Sequence, residues 1–179
     1  MPISRTASDL QSVVATNLKK LRKDRGFTQE QLAREAGINR TYLIQLENCV
    51  YYASLKVIVR LADTLRVEPS VLLKYPTKRS AFGEPHAGVT DSSGREIAPT
   101  RADLRKVLAT NLRQLRGKKD WTLTDLAREA GVSPTYLGQL ENCVYHASIK
   151  IIAPLAEALD VAPSELLKLD PTKKTPRGG

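Results

Sequence analysis

Two stretches of this chain gather side chains suited to reading the edges of nucleic-acid bases. In Thr28–Asn48, TQEQLAREAGINRTYLIQLEN, the polar residues Asn39, Arg40, Thr41 and Gln45 cluster on one short segment. Arg can donate two parallel bonds to guanine, Gln can pair with adenine, and Thr offers a hydroxyl or a methyl contact. In Thr122–Asn142, TLTDLAREAGVSPTYLGQLEN, Ser133, Thr135 and Gln139 stand at matching places. Other chemistries are poorly supplied. Cys143-x-x-His146 offers two metal ligands where a structural zinc needs four, and the matching place of the first stretch holds Tyr52 rather than His. No nucleophile, base and orienting group recur together, and no phosphate loop is present. The expectation is therefore no catalytic residue, no metal and no cofactor.

Bulk properties narrow the partner. A formal net charge of +9 and a pI near 9.7 favour a polyanion. Nucleic acid and an anionic membrane surface both fit that charge. No apolar run reaches the roughly 18 residues that would span a bilayer. The opening MPISRTASDL lacks the basic-then-apolar pattern of a secretory signal. A cytoplasmic protein with no membrane association is the default expectation. The two cysteines, Cys49 and Cys143, are read as free thiols and as small buried residues.

The chain is an internal duplication. Ala15–Tyr75 aligns without a gap onto Ala109–Leu169 at an offset of 94, with 36 of 61 positions identical. Residues 1–75 are read as the first module and 100–170 as the second. Between them, residues 76–99 are rich in Pro, Gly and Ser, contain His86, and read as a flexible linker. Residues 171–179 read as a disordered basic tail. Net charge is +7 over residues 1–80, −2 over 81–98 and +4 over 99–179, so the basic character sits on the modules.

Each module reads as five helices, and no strand pattern occurs. Ser8-x-x-Gln11 offers a capping box for the first helix, and Leu10, Val13, Val14, Leu18 and Leu21 recur at helical spacing. Gly26 suits a left-handed end. In the second copy Thr100 is the expected cap. Thr28 with Gln31 opens the second helix, Gly37 makes the turn, and Asn39 caps the third. Two short helices around such a turn form a helix-turn-helix. Helix four follows Ser54, and Pro69 fits the first turn of the fifth. Pro154 falls inside the second module's fourth helix, predicting a kink or a later start. The basic runs Lys19–Arg25 and Arg113–Lys119 read as solvated, and Phe27 and Trp121 as core.

Thr28–Asn48 and Thr122–Asn142 resemble the Cro/cI-like, or XRE, phage-repressor type of helix-turn-helix. The likeness lies in spacing, turn glycine, apolar positions and the closing Glu-Asn, and covers both modules. It implies an all-α fold of two tandem five-helix, lambda-repressor-like domains joined by the linker. It also implies that the third helix enters the major groove of double-stranded DNA. Carried over by position, the base readers would be Asn39, Arg40, Thr41 and Gln45, and in the second copy Ser133, Thr135 and Gln139. Gln29, Asn48 and Asn142 match phosphate contacts. Tyr42, Tyr51, Lys56, Tyr136, Tyr145 and Lys150 would add backbone contacts, with the Cys-Val-Tyr segments equally readable as a packing or pairing surface. The second copy departs from the pattern. Leu123 replaces Gln29 and Pro134 replaces Arg40, so it should hold DNA less strongly. Where the family usually has Gly after Glu-Asn, this chain has Cys49 and Cys143.

The leading expectation is a sequence-specific DNA-binding transcription regulator using both modules, with one chain doing the work of a dimer. A homodimer of such chains stays open. The alternative is a protein-binding regulator, an antitoxin or antiactivator, that reuses the fold to dock a partner. Pro134 and Gly138, which make the second reading face plainer, favour that alternative.

Overall fold

A computed structural model describes residues 6–75 and 103–168. The linker, the C-terminal tail and the Thr100 cap expected above lie outside the described residues. The first module holds α1 (Ala7–Asp24), α2 (Gln29–Glu35), α3 (Arg40–Glu47), α4 (Leu55–Leu65) and α5 (Pro69–Leu72). The second holds α6 (Leu104–Lys118), α7 (Leu123–Glu129), α8 (Pro134–Glu141), α9 (Ile149–Leu159) and a closing 3₁₀ turn, Pro163–Leu167. Five short helices per module is the all-α arrangement expected from sequence.

The caps explain most boundaries. Thr28 and Gln31 form a reciprocal capping box at α2, Asn39 accepts from Thr41 and Tyr42 at α3, and Ser54 accepts from Val57 at α4. The start of α1 differs from expectation. Thr6 and Asp9 form the box, which places Ser8 inside the helix. Gln11 is then free to turn inward, where it is buried and donates to the Cys49 carbonyl at 2.8 Å. In the second module Asp103 caps α6 by accepting from the Arg105 amide.

Four left-handed positions repeat at the offset of 94: Gly26 and Asp120, Gly37 and Gly131, Cys49 and Cys143, Arg66 and Asp160. Each ends a helix. Only the Gly37/Gly131 pair has glycine in both copies, so the tight turn between α2 and α3 is unstrained in each. Pro154 neither delays nor divides its helix. The α9 segment starts at Ile149, capped by Ser148, and carries Pro154 within it. The ring deprives the Lys150 carbonyl of its amide donor four residues on. Packing of Ile149, Ile152, Ala153, Leu155 and Ala156 into the core holds the helix despite that loss.

The two modules pack directly on one another. Helix α1 lies against α9, α4 against α6, and α5 against the closing 3₁₀ turn. A single apolar cluster runs through both, including Leu10, Leu18, Leu55 and Ile58 from one and Leu108, Leu112, Ile149 and Ile152 from the other. At the seam Ser54 and Ser148 form an antiparallel bridge. The Leu55 amide donates to the Ala147 carbonyl at 2.9 Å, and the Ile149 amide donates to the Ala53 carbonyl at 3.0 Å. Leu55 and Ile149 are counterparts in the repeat, as are Ala53 and Ala147. The contact is therefore reciprocal, with the same patch used on both sides, as in a two-fold dimer interface. Here both sides belong to one chain.

Candidate nucleic-acid interface

Helix α3 is eight residues long, and its inward stripe is Leu43, Leu46 and Glu47. A helix advances about 100° per residue, so Thr41, Gln45 and Asn48 form the opposite face, with Arg40 and Ile44 on its flank towards Glu47. Arg40, Thr41 and Asn48 are exposed and Gln45 half-buried. Asn39 is exposed too, but its side-chain oxygen accepts from Thr41 at 2.7 Å, which leaves only its amide nitrogen for another partner. Ser133 is likewise engaged, accepting from the Tyr136 amide at 3.1 Å. Thr135 is exposed and Gln139 half-buried on α8.

What aims α3 is an ion pair hidden from the sequence pattern. Arg22 on α1 donates to both oxygens of Glu47, Nε to Oε1 at 2.6 Å and Nη2 to Oε2 at 3.1 Å. Its Nη1 also holds the Phe27 carbonyl at 3.0 Å. Both side chains are buried. Gln29 joins the same group, donating from Nε2 to Glu47 Oε2 at 2.7 Å. Its carboxamide is thus tied inward, and the α2 start, the α1 end and the α3 end share one hydrogen-bonded knot. The second module repeats the pair as Arg116–Glu141, at 3.0 Å for each bond, with Arg116 also holding the Trp121 carbonyl. Leu123 cannot join it. Arg113 instead binds the Glu141 carbonyl and donates to the Asn142 side chain at 3.1 Å. Arg22 and Arg116 therefore correct the expectation of solvated basic runs, while Arg113 stays exposed. The one sequence signal for this pair is that both copies keep Arg and Glu 25 residues apart.

The backbone candidates occupy the segment after each third helix. Tyr42 and Tyr136 are half-buried, and burial holds both phenols above their ordinary pKa, so they stay protonated donors. The Tyr51 ring lies 6.3 Å from that of Tyr42, tilted by 36°. Val50, Tyr51, Val144 and Tyr145 are all more than half exposed. Lys56 and Lys150 are exposed beside the seam. The cysteines depart from expectation: Cys49 is exposed and Cys143 half-exposed, because each follows a helix end in a left-handed turn that projects outward. Phe27 and Trp121 are partly buried against the core, as read from sequence. Among the described residues no cluster of three or more His, Cys, Asp or Glu could hold a metal. Among them, too, no helix is long and apolar enough to cross a membrane.

The turn between α2 and α3 is braced differently in the two copies. Arg60 on α4 donates to the Gly37 carbonyl at 3.1 Å. Its counterpart is Pro154, which has nothing to donate.

The geometry is that of a helix-turn-helix built twice. The helix-turn-helix family model matches residues 18–72 and again 112–166, and the chain belongs to that family. Among curated relatives, a hypothetical transcription factor of Neisseria meningitidis serogroup B is 39% identical over 69 residues, covering 38% of this chain and 65% of the relative. The immunity repressor protein of Bacillus phage phi105 is 30% identical over 95 residues, covering 53% of this chain and 64% of the relative. The chain thus spans just under two thirds of the length of either relative. A crystal structure of a hypothetical transcription factor from Neisseria is 33% identical, with 44% of this chain and 91% of that chain covered and a TM-score of 0.39.

Proposed function

We infer that this protein is a sequence-specific, double-stranded-DNA-binding transcription regulator in which one chain presents both halves of a two-fold reading unit. The observation that carries this reading is the reciprocal seam, Leu55 to Ala147 and Ile149 to Ala53. Double-stranded DNA has local two-fold symmetry, and dimeric helix-turn-helix proteins match it with half-sites about 34 Å apart. A seam internal to the chain supplies that relation without a second molecule, and its spacing is set by packing rather than by linker reach. The names of the relatives, a transcription factor and an immunity repressor, agree with this reading.

In this reading Arg40, Thr41 and Gln45 face base edges, while Asn39 caps and can donate one bond. Ser133, Thr135 and Gln139 do the lesser work of the second half. Tyr42, Tyr136, Asn48, Asn142, Tyr51, Tyr145, Lys56 and Lys150 face phosphates, and Gln29 positions α3 through Glu47. The site recognised is asymmetric, because Arg40 has Pro134 as its counterpart.

A second reading rests on Leu123, Pro134 and Gly138, which replace Gln29, Arg40 and Ile44 and make the α8 face less polar. There the second module docks a protein while the first holds DNA. Selection of bound sequences from a random duplex pool separates the two. The first reading expects one motif with two unequal halves at fixed spacing, and Arg40→Ala costing about 1–3 kcal/mol with preference relaxed at one base pair. A motif of a single half, unaffected by changes in α8, would give the second reading its place.

A further inference from the structure

We propose that Ile44 is a specificity-determining residue that receives the C5 methyl group of a thymine in the half-site held by the first module. The inference rests on the DNA-binding reading above and adds a residue and a base to it.

Ile44 stands on the flank of the outward face of α3, between Arg40 and Asn48, one turn beyond Arg40 and three residues beyond Thr41. It is half-exposed. Every other apolar residue of α3 serves the interior: Leu43 and Leu46 are buried, and Tyr42 packs against the core. Ile44 is absent from both the core cluster and the partly buried residues packed on it. An isolated, partly exposed isoleucine is ordinary on a protein surface. This one sits between Arg40 and Asn48, at the edge of the polar face that would meet base edges. It is also β-branched and stiff, so it gives little to helix propensity there. In the major groove the one apolar feature of a base pair is the thymine methyl. Arg40, Thr41 and Gln45 supply donors and acceptors, and Ile44 supplies the apolar surface among them.

The second module lacks this feature. Gly138 replaces Ile44, and a Cβ built there would lie 3.6 Å from Leu123 Cδ1. Leu123 itself packs against the core. The apolar group has moved from the third helix to the start of the second, where it is partly withdrawn. The thymine preference is therefore confined to one half of the site, beside Arg40.

The test uses the full chain and the duplex obtained by selection, with each thymine of the Arg40 half-site replaced in turn by deoxyuridine, which removes only the methyl. One position should lose about three- to tenfold in affinity, the scale expected for one buried methyl group. Ile44→Ala should bind the thymine duplex more weakly by a similar factor and show no further loss with uracil. A urea midpoint for Ile44→Ala close to that of the parent shows the variant is folded. If it is not folded, the uracil series on the parent alone decides. The proposal is overturned if the parent is indifferent to every thymine-to-uracil change in that half, if the half contains no thymine, or if folded Ile44→Ala keeps the full methyl dependence. Failure of the parent to bind any duplex is a different result and removes the DNA-binding reading itself.

Discussion

Arg22 grips Glu47 through two nitrogens, at 2.6 and 3.1 Å, in a place where both side chains are buried. The bond joins residue 22 of the first helix to the last residue of the third, so the tilt of α3 is fixed by α1. The pair recurs as Arg116 and Glu141, with Arg116 rather more exposed.

Glu47→Gln should destabilise the protein by about 3–5 kcal/mol, because it strands the Arg22 charge in the interior. Glu141→Gln should cost less, since water can reach Arg116. Arg22→Met combined with Glu47→Leu should recover much of the loss, because no charge is left unpaired. Urea unfolding of the three variants checks the order. Equal costs for Glu47→Gln and Glu141→Gln would contradict it.

The seam predicts cooperativity between modules. Ala53 and Ala147 are fully buried at the reciprocal bonds. Ala147→Glu places a charge there with no partner and forces the modules apart. The parent should unfold in one transition, and Ala147→Glu in two, each near the stability of a separate module. Calorimetry reads the number of transitions directly. A single unshifted transition in the variant would mean the seam contributes little.

Cys49 and Cys143 adopt φ of 58° and 60°, where a side chain costs about 1–2 kcal/mol that glycine avoids. Cys49→Gly should raise stability by up to about 1 kcal/mol once the extra freedom of glycine in the unfolded chain is deducted. Cys49→Ala keeps the Cβ and should show no gain. Thermal midpoints of the two variants, compared with the parent, give the answer.

His146 supplies a pH dependence. Although His146 is exposed, partial desolvation first, then the Arg105 charge and more weakly Lys56, hold its imidazole below the ordinary value, with Asp103 opposing them. Above about pH 6.5, the ordinary histidine pKa, it is neutral in both states and contributes nothing. As pH falls below that, the unfolded chain takes up a proton that the folded chain resists. Stability is lost from about pH 6.5 down to the folded pKa. His146→Tyr, which installs the residue type of Tyr52, should flatten this part of the profile. Urea midpoints on either side of that window, for parent and variant, test it, and an unchanged slope would remove His146 from the account.

Much of this architecture was legible in the residues themselves, where the determinant is local. Thr28 with Gln31, Asn39 and Ser54 mark helix starts because a cap needs only a side chain and an amide two or three residues on. Gly37 marks the turn because its φ of 62° suits no side chain well. The outward face of α3 follows from the helical period alone. The duplication, and with it the two-module plan, is plain in the alignment at 94 residues. Local reasoning was insufficient at the first helix. Ser8 with Gln11 is the expected cap, but Thr6 caps with Asp9, which frees Gln11 to hold the Cys49 carbonyl 38 residues away.

The rest was decided by the tertiary structure. Within Lys19–Arg25 every cation looks equally solvated, and only the arrival of Glu47 from another helix makes Arg22 a buried partner. Pro154 reads as a helix breaker, yet core packing along α9 outweighs one missing backbone bond. Above all, nothing local in Ala53-Ser54-Leu55 announces that it will meet Ala147-Ser148-Ile149. That contact joins segments 94 residues apart, and its stability comes from apolar surface that both modules bury together. A sequence period identifies the face each helix turns inward. Which other face it meets depends on shape and area summed over the whole fold.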